Sequence, residues 1–524
     1  MPSIPESRRK IRDFISDLPP ELSRLILSQL EIEDVFMCAA VCRAWRSHTR
    51  INDSLYIPHL LRKYNNITHG RDPIPPRANV GQELLLRLPH LSASSYFCNP
   101  KSLRDLALRD MHLQSKWESG IPLRKTNLNA LMKHKDVIFS VLIDPVYSLV
   151  VSGDRSGGVV FWSTRTEEMI KELSLAQEPD EDVPTISPAI SVMALKDNHL
   201  VIGTWHMTVY IARRDSEDIP LENRAFSLVS SFPVPSPVIS ILLEGATCIV
   251  GCHNGEVLFY DIGVPKENPN PTSGEYTKPV YNPTHLLTIQ IPERTRASQI
   301  RYNLSMHYRK PFLFTSSDLV SQLTPKRTDR DNKRDLWEYG EREITIKNSS
   351  QNMPGSGPDY LCMLRPLRDE GDLLVAWPDL SVYSLGNFNS SLVWTPKSKV
   401  LVEKAHSQSV RCMSTVDGFF LTGSFDNTVR VFKEDGIPVY KPFIHQGAVN
   451  GLATDPCFFV SVSDDKTVML WDFTPPSYEI GGSTLSSPSV TSILSYSESS
   501  GSPATSPPST PDSNPEPKVN FNYT

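Results

Sequence analysis

The sequence predicts a multidomain chain: a small α-helical module and a helical linker, then an all-β domain built from repeated units, then a disordered Ser/Pro-rich tail. Three observations carry that reading. Apolar residues recur at helical spacing in "LPPELSRLILSQLEIEDVFMCAAVCRAWR" (18–46) and again in "KSLRDLALRDMHLQSKW" (101–117). From about residue 126, short β-branched runs punctuated by Gly, Asp and Ser replace that texture, and two of them align with each other without a gap. Beyond Trp471 the chain turns Ser/Pro-rich with scarcely any apolar content.

Composition excludes several classes. A chain of 524 residues is long for a single core, so two or more units are expected. With 39% hydrophobic and 21% charged residues it has the balance of a soluble globular protein, and no apolar run approaches the roughly eighteen residues of a membrane span. "MPSIPESRRKIRDF" carries early positive charge but no apolar run after it, so no secretory leader is expected. The 8 cysteines form no CxxC pairs, which suits reduced thiols in the cytoplasm or nucleus and offers no metal site. A net charge of -6 gives no electrostatic reason to expect a nucleic-acid partner.

The first helix is expected to start at Asp17, Pro19, Pro20 and Glu21: a capping side chain, a ring that presets φ, and an acid at the positive end of the dipole. Leu22, Leu25, Ile26 and Leu30 then share one face, and Val35, Cys38, Ala39, Cys42 and Trp45 form a second stripe. Two short helices cannot offset their own ordering entropy, so these faces must bury against the rest of the chain or a partner. An ordinary helical hairpin would share this periodicity. The spaced set Leu18, Pro19, Glu21, Leu22, Ile26, Leu30, Asp34, Ala39, Val41, Cys42, Arg43 and Trp45, however, resembles an F-box nearly position for position. That resemblance implies docking on Skp1 through Leu18, Pro19, Leu22, Ile26, Leu30, Val41, Cys42 and Trp45.

The β region repeats. "HSQSVRCMSTVDGFFLTGSFDNTVRVF" (406–432) and "HQGAVNGLATDPCFFVSVSDDKTVMLW" (445–471) match throughout, and "HKDVIFSVLIDPVYSLVVSGDRSGGVVFW" from His134 matches with two extra residues before its SG turn. This resembles the WD40 repeat, which implies one four-stranded propeller blade per unit. Weaker copies at 187–212, 236–261 and 359–386 lack the His. A further one at 297–318 reads as split from its third strand by the charged "LVSQLTPKRTDRDNKRD", resuming at "LWEYGE". The count is seven, with six and eight as alternatives. "TNLNALMKH" (126–134) reads as a strand without a blade, and the family implies that it latches the last blade.

His445, Ser461, Asp465 and Trp471 carry the residue types of a hydrolytic triad, but no nucleophile elbow accompanies them. The WD40 resemblance implies a buried structural tetrad instead. In the preceding repeat His406, Thr422 and Asp426 are kept, and Phe432 replaces the indole.

The expected boundaries are therefore a disordered N-terminus at 1–13, an F-box at 14–62, a helical linker at 63–125, a propeller at 126–475 and a tail at 476–524. Asn99 and Pro100 are expected to start the linker helix, with Leu103, Leu106, Ala107 and Leu108 on its apolar face. Ser487, Ser502, Ser506 and Thr510 in the tail each precede proline.

Similarity to F-box/WD40 proteins implies a non-catalytic substrate receptor of an SCF ubiquitin ligase, bound to Skp1 and cullin, with no cofactor and no membrane or nucleic-acid partner. A Skp1-associated scaffold without a degradative role is the alternative. A lipid-binding propeller is a remoter one, since "IARRD" (211–215) lacks the Phe and Gly of the FRRG motif it approaches. For the target site, Arg155, Arg301 and Arg411 match positions where family members bind phosphate, a task that suits the guanidinium fork. Trp205, Trp377 and Phe425 offer an apolar rim instead.

Overall fold

The structure, a computed structural model, describes residues 18–30, 32–51, 55–56, 103–145, 147–175, 188–215, 224–263, 283–290, short strands between 305 and 384, 399–416 and 418–474. The chain divides into units Met1–Pro475 and Pro476–Thr524, and the described residues all belong to the first.

Helix α1 spans Pro20–Leu27, α2 Ile32–Val41 and α3 Arg43–Ile51. The N-cap of α1 is Pro19, which has no capping side chain; its carbonyl accepts the Leu22 and Ser23 amides, and Pro20 presets the first helical φ. Asp17, expected as the cap, lies outside the described residues. The expected second stripe is broken between two helices. The chain leaves α2 at Cys42, whose thiol accepts the Trp45 N–H and starts α3 afresh. In the helices, Leu27, Val35 and Cys38 are buried, and Leu30 and Trp45 pack partly against them.

Helix α4, Leu103–Ser119, buries Leu106, Ala107, Leu113 and Trp117; Leu108 turns off that face. It ends where Gly120 takes a φ of 63° and donates to the Trp117 carbonyl, a left-handed C-cap that suits glycine. Asn99 and Pro100 lie outside the described residues.

Among the described residues, seven antiparallel sheets follow. Blade one comprises Ile138–Asp144, Leu149–Asp154, Gly158–Ser163 and Met169–Ser174. Blades two to six lie at 190–233, 238–290, 305–344, 363–402 and 410–444, and blade seven at 449–472. Each blade's first strand packs on the first strand of the next, and that of blade seven returns to blade one. The ring is a seven-bladed propeller.

Two placements differ from expectation. The third strand of blade four is Val320–Lys326, directly after its second, Phe312–Ser316. Most of the expected insertion is therefore this third strand, which extends the second strand's ladder from Leu313↔Leu323 to Ser316↔Val320, and 327–335 separate it from the fourth, Leu336–Glu338. The closing strand is Arg124–Asn127, which pairs with the last strand of blade seven from Arg124↔Asp472 to Asn127↔Met469. It starts two residues earlier than expected and ends sooner, because the Asn127 side chain accepts the Asn129 N–H and turns the chain into a 3-10 turn, Leu128–Leu131. Asn129 then locks the seam, donating to the Lys466 carbonyl at 2.6 Å and accepting the His134 N–H at 3.0 Å.

One apolar cluster runs from Leu27, Val35 and Cys38 through Leu55, Tyr56 and α4 to Phe419, Phe459 and Phe473 of blades six and seven. Trp117 meets the propeller at the start of a second strand (Phe419), at a first hairpin (Pro456) and just past a third strand (Phe473). Those are the strand ends opposite the mouth described next, so α4 joins the ring on its far side.

Candidate functional site

Among the described residues, three blades carry a buried His relay. In blade seven, His445 faces Asp465 through Nδ1 (3.2 Å) and the Ser461 hydroxyl through Nε2 (2.7 Å), and Trp471 Nε1 donates to the same hydroxyl at 2.8 Å. Burial alone would raise the Asp465 carboxyl, but hydrogen bonds from His445, Thr467 and the Gln446 amide outweigh it and hold its pKa below the usual carboxylate range. The relay ties the entering loop, the second strand and the third strand together, and its members satisfy one another's polar groups. Blade six keeps His406 with Asp426 (3.0 Å) and Thr422 (2.7 Å), while Phe432 stacks on Phe420 and donates nothing.

Blade one holds a complete relay that the sequence comparison passed over. His134 bonds Asp154 at 2.8 Å and Ser152 at 2.6 Å, and Trp162 donates to Ser152 at 2.7 Å. Its carboxylate comes from an unusual place. Asp154 pairs with Ile138, the register that Ser463 and Ser424 occupy against Val449 and Val410. The acid has moved from the turn to the strand end, where it still accepts the Ser156 and Gly158 amides. Blade one's longer first hairpin restores the twenty-residue His–Asp interval, so spacing alone hides the exchange.

The mouth of the ring is built by β-bulges. In five blades the first strand skips one residue in its register: Phe139, Ser191, Ile239, Arg411 and Asn450. A bulge re-aims the extra side chain. Arg411 of blade six reaches past blade seven, with its guanidinium 5.9 Å from the Phe139 ring of blade one, so the bulge side chains of these two blades meet. The same guanidinium lies 4.3 Å from the Phe425 ring and donates to Asn450 Oδ1, whose own amide donates to Asp464 (2.7 Å) and the Ile138 carbonyl (2.9 Å). Around this mouth runs a second set. Arg155, Trp205, His253, Phe425 and Asp464 each donate a backbone N–H to the residue just before their blade's first strand. Trp205 is 37% exposed, enough to offer an indole face to a partner.

On α1 and α2, Leu22, Leu25, Ile26, Met37 and Val41 face solvent, Leu25 at 59% and Val41 at 63% exposed, although their neighbours Leu27 and Val35 are buried. An apolar set this exposed on two adjacent helices marks an interaction surface. The F-box-like family model matches residues 15–60. The model for the WD domain, G-beta repeat, matches 396–433 and 436–472, which fall on blades six and seven. The chain thus carries an F-box-like segment followed by WD repeats. A similar protein is "F-box/WD repeat-containing protein 7" of Drosophila melanogaster, 28% identical over 162 residues; the match covers 31% of this chain and 11% of that one.

The residues singled out by sequence fall into distinct groups. Leu22, Ile26 and Val41 are exposed with Pro19, Leu18 and Cys42 are half-buried, and Leu30 and Trp45 serve the protein's own core. Leu25 and Met37 belong to the exposed surface and were not among the expected contacts. Arg411 and Phe425, read as alternatives, form one stacked unit; Arg155 and Trp205 stand on the outer rim; Arg301 and Trp377 lie outside the described residues. Phe139 completes the mouth, and only its bulge register, invisible in sequence, identifies it. Arg214 of "IARRD" is buried in an ion pair with Asp144 and stacked 3.6 Å over Tyr147, engaged between blades one and two.

Proposed function

We propose that this chain is the substrate receptor of an SCF-type ubiquitin ligase, in which α1–α3 bind Skp1, and through it cullin, while the propeller mouth holds the protein to be ubiquitinated. The observation that carries this reading is the exposed set Leu22, Leu25, Ile26, Met37 and Val41 inside the F-box-like match. Helix α4 joins the ring away from the mouth, which lets the two surfaces bind different partners. Its chemistry is proximity: a held lysine meets the ubiquitin thioester at high effective concentration, and the chain breaks no bond itself. The thiols of Cys38, Cys42, Cys248, Cys252, Cys412 and Cys457 form no disulfides with one another, which suits the reducing cytoplasm or nucleus.

Replacing Leu18 and Pro19 with Ala removes apolar contact and the preset helix entry, so Skp1 should be lost from purified complexes while the propeller stays folded. Undiminished Skp1 recovery would overturn the reading. If Skp1 is retained without cullin, the chain is a Skp1-associated scaffold instead.

A further inference from the structure

We infer that the mouth selects an unphosphorylated segment in which a carboxylate side chain lies next to a large apolar one. The inference rests on the receptor reading and narrows its substrate class. Five bulge positions are described, and Arg411 is the single cation among Phe139, Ser191, Ile239, Arg411 and Asn450. Its charge is already shared: Asp464 holds the Asn450 amide, and Asn450 accepts from Arg411, so a carboxylate stands one residue away from the guanidinium. A phosphoserine brings about -1.5 to -2 charges. At the described bulge positions it would meet one cation and the field of Asp464. A carboxylate brings a single charge and can share the planar fork.

The surroundings supply the apolar half. Phe425 and Phe139 flank Arg411, and the exposed Trp205 stands on the rim. A guanidinium stacked on a ring is oriented before the ligand arrives, so less rotamer freedom is lost on binding. An aromatic or large aliphatic residue beside the carboxylate would cover those rings as the acid reaches Arg411.

The test pans a genetically encoded random-peptide phage library, which carries no phosphate, on the full chain. Enriched peptides should pair Asp or Glu with an adjacent aromatic or large aliphatic residue. A synthetic copy should bind at least roughly tenfold more weakly to Arg411→Gln and to Phe425→Ala, the loss typical of an interface anchor. Exchanging its acid for phosphoserine should bring no gain. Enrichment without a carboxylate, binding that requires phosphoserine, or no enrichment over Arg411→Gln would each overturn the inference. Skp1 co-purification is followed in parallel: its loss from the wild-type chain with peptide binding intact would defeat the receptor reading alone.

Discussion

Trp117 Nε1 donates a 2.7 Å hydrogen bond to the Pro456 carbonyl, and its ring stacks 4.2 Å from Phe473. One side chain thus fastens the last turn of the linker helix to the first hairpin and the exit of blade seven. Trp117→Ala should cost about 3–5 kcal/mol through the cavity it leaves, and Trp117→Phe about 1 kcal/mol through the lost donor. Denaturant unfolding of both variants checks the ranking; equal effects would assign the joint to the hydrogen bond rather than the ring.

Adjacent residues of α1 should behave oppositely. Leu27, 1% exposed, is part of the core, and Leu27→Ala should destabilise by about 2–5 kcal/mol. Ile26, 40% exposed, faces out, so Ile26→Lys should leave thermal unfolding nearly unchanged and abolish Skp1 recovery. Calorimetry beside co-purification separates the two effects.

The seam closing the ring depends on Asn129. Asn129→Ala leaves the Lys466 carbonyl and the His134 amide unpaired, at a cost of roughly 1–3 kcal/mol. Faster hydrogen exchange in Arg124–Asn127 and Val468–Asp472 is expected ahead of the other blades. Uniform exchange would show that the seam is not the weak point.

Two aspartates of blade seven should give opposite pH dependences. Asp465 is depressed, so its contribution is present above the unfolded pKa of about 4 and is lost as pH falls through the lower folded value. Asp465→Ala should therefore lower Tm at pH 7, and the gap from wild type should narrow in acid. Asp455 is raised to about 7 by burial, reinforced by Asp472. Its protonated form is favoured when folded, so a penalty builds as pH rises from about 4 to 7 and stays constant above. Asp455→Asn keeps an acceptor for the Cys457 amide, and its Tm advantage over wild type should grow across that window. A pH-independent difference would refute the shift.

Much of this was legible in the chain because it is written in local periodicity. Helical spacing placed α1, α2 and α4, and the interval of thirty-nine residues from His406 to His445 marked two blades whose relays have equal spacing. Short-range pattern does not say which apolar residues face inward. Leu27 is buried while Leu22, Leu25 and Ile26 are not, because the choice is made by a linker and blades hundreds of residues away.

The sequence by itself determined the helical arm, the repeated β units and the His relays of blades six and seven, since each is set by residues within one helix or one repeat. Only the tertiary structure decided the rest. The migrated carboxylate of Asp154, the true closing strand, and the meeting of Arg411 with Phe139 and Asn450 depend on strand register and on closing a ring. A one-residue bulge changes which side chain faces the axis, and ring closure joins residues more than three hundred apart, so neither leaves a trace in local spacing.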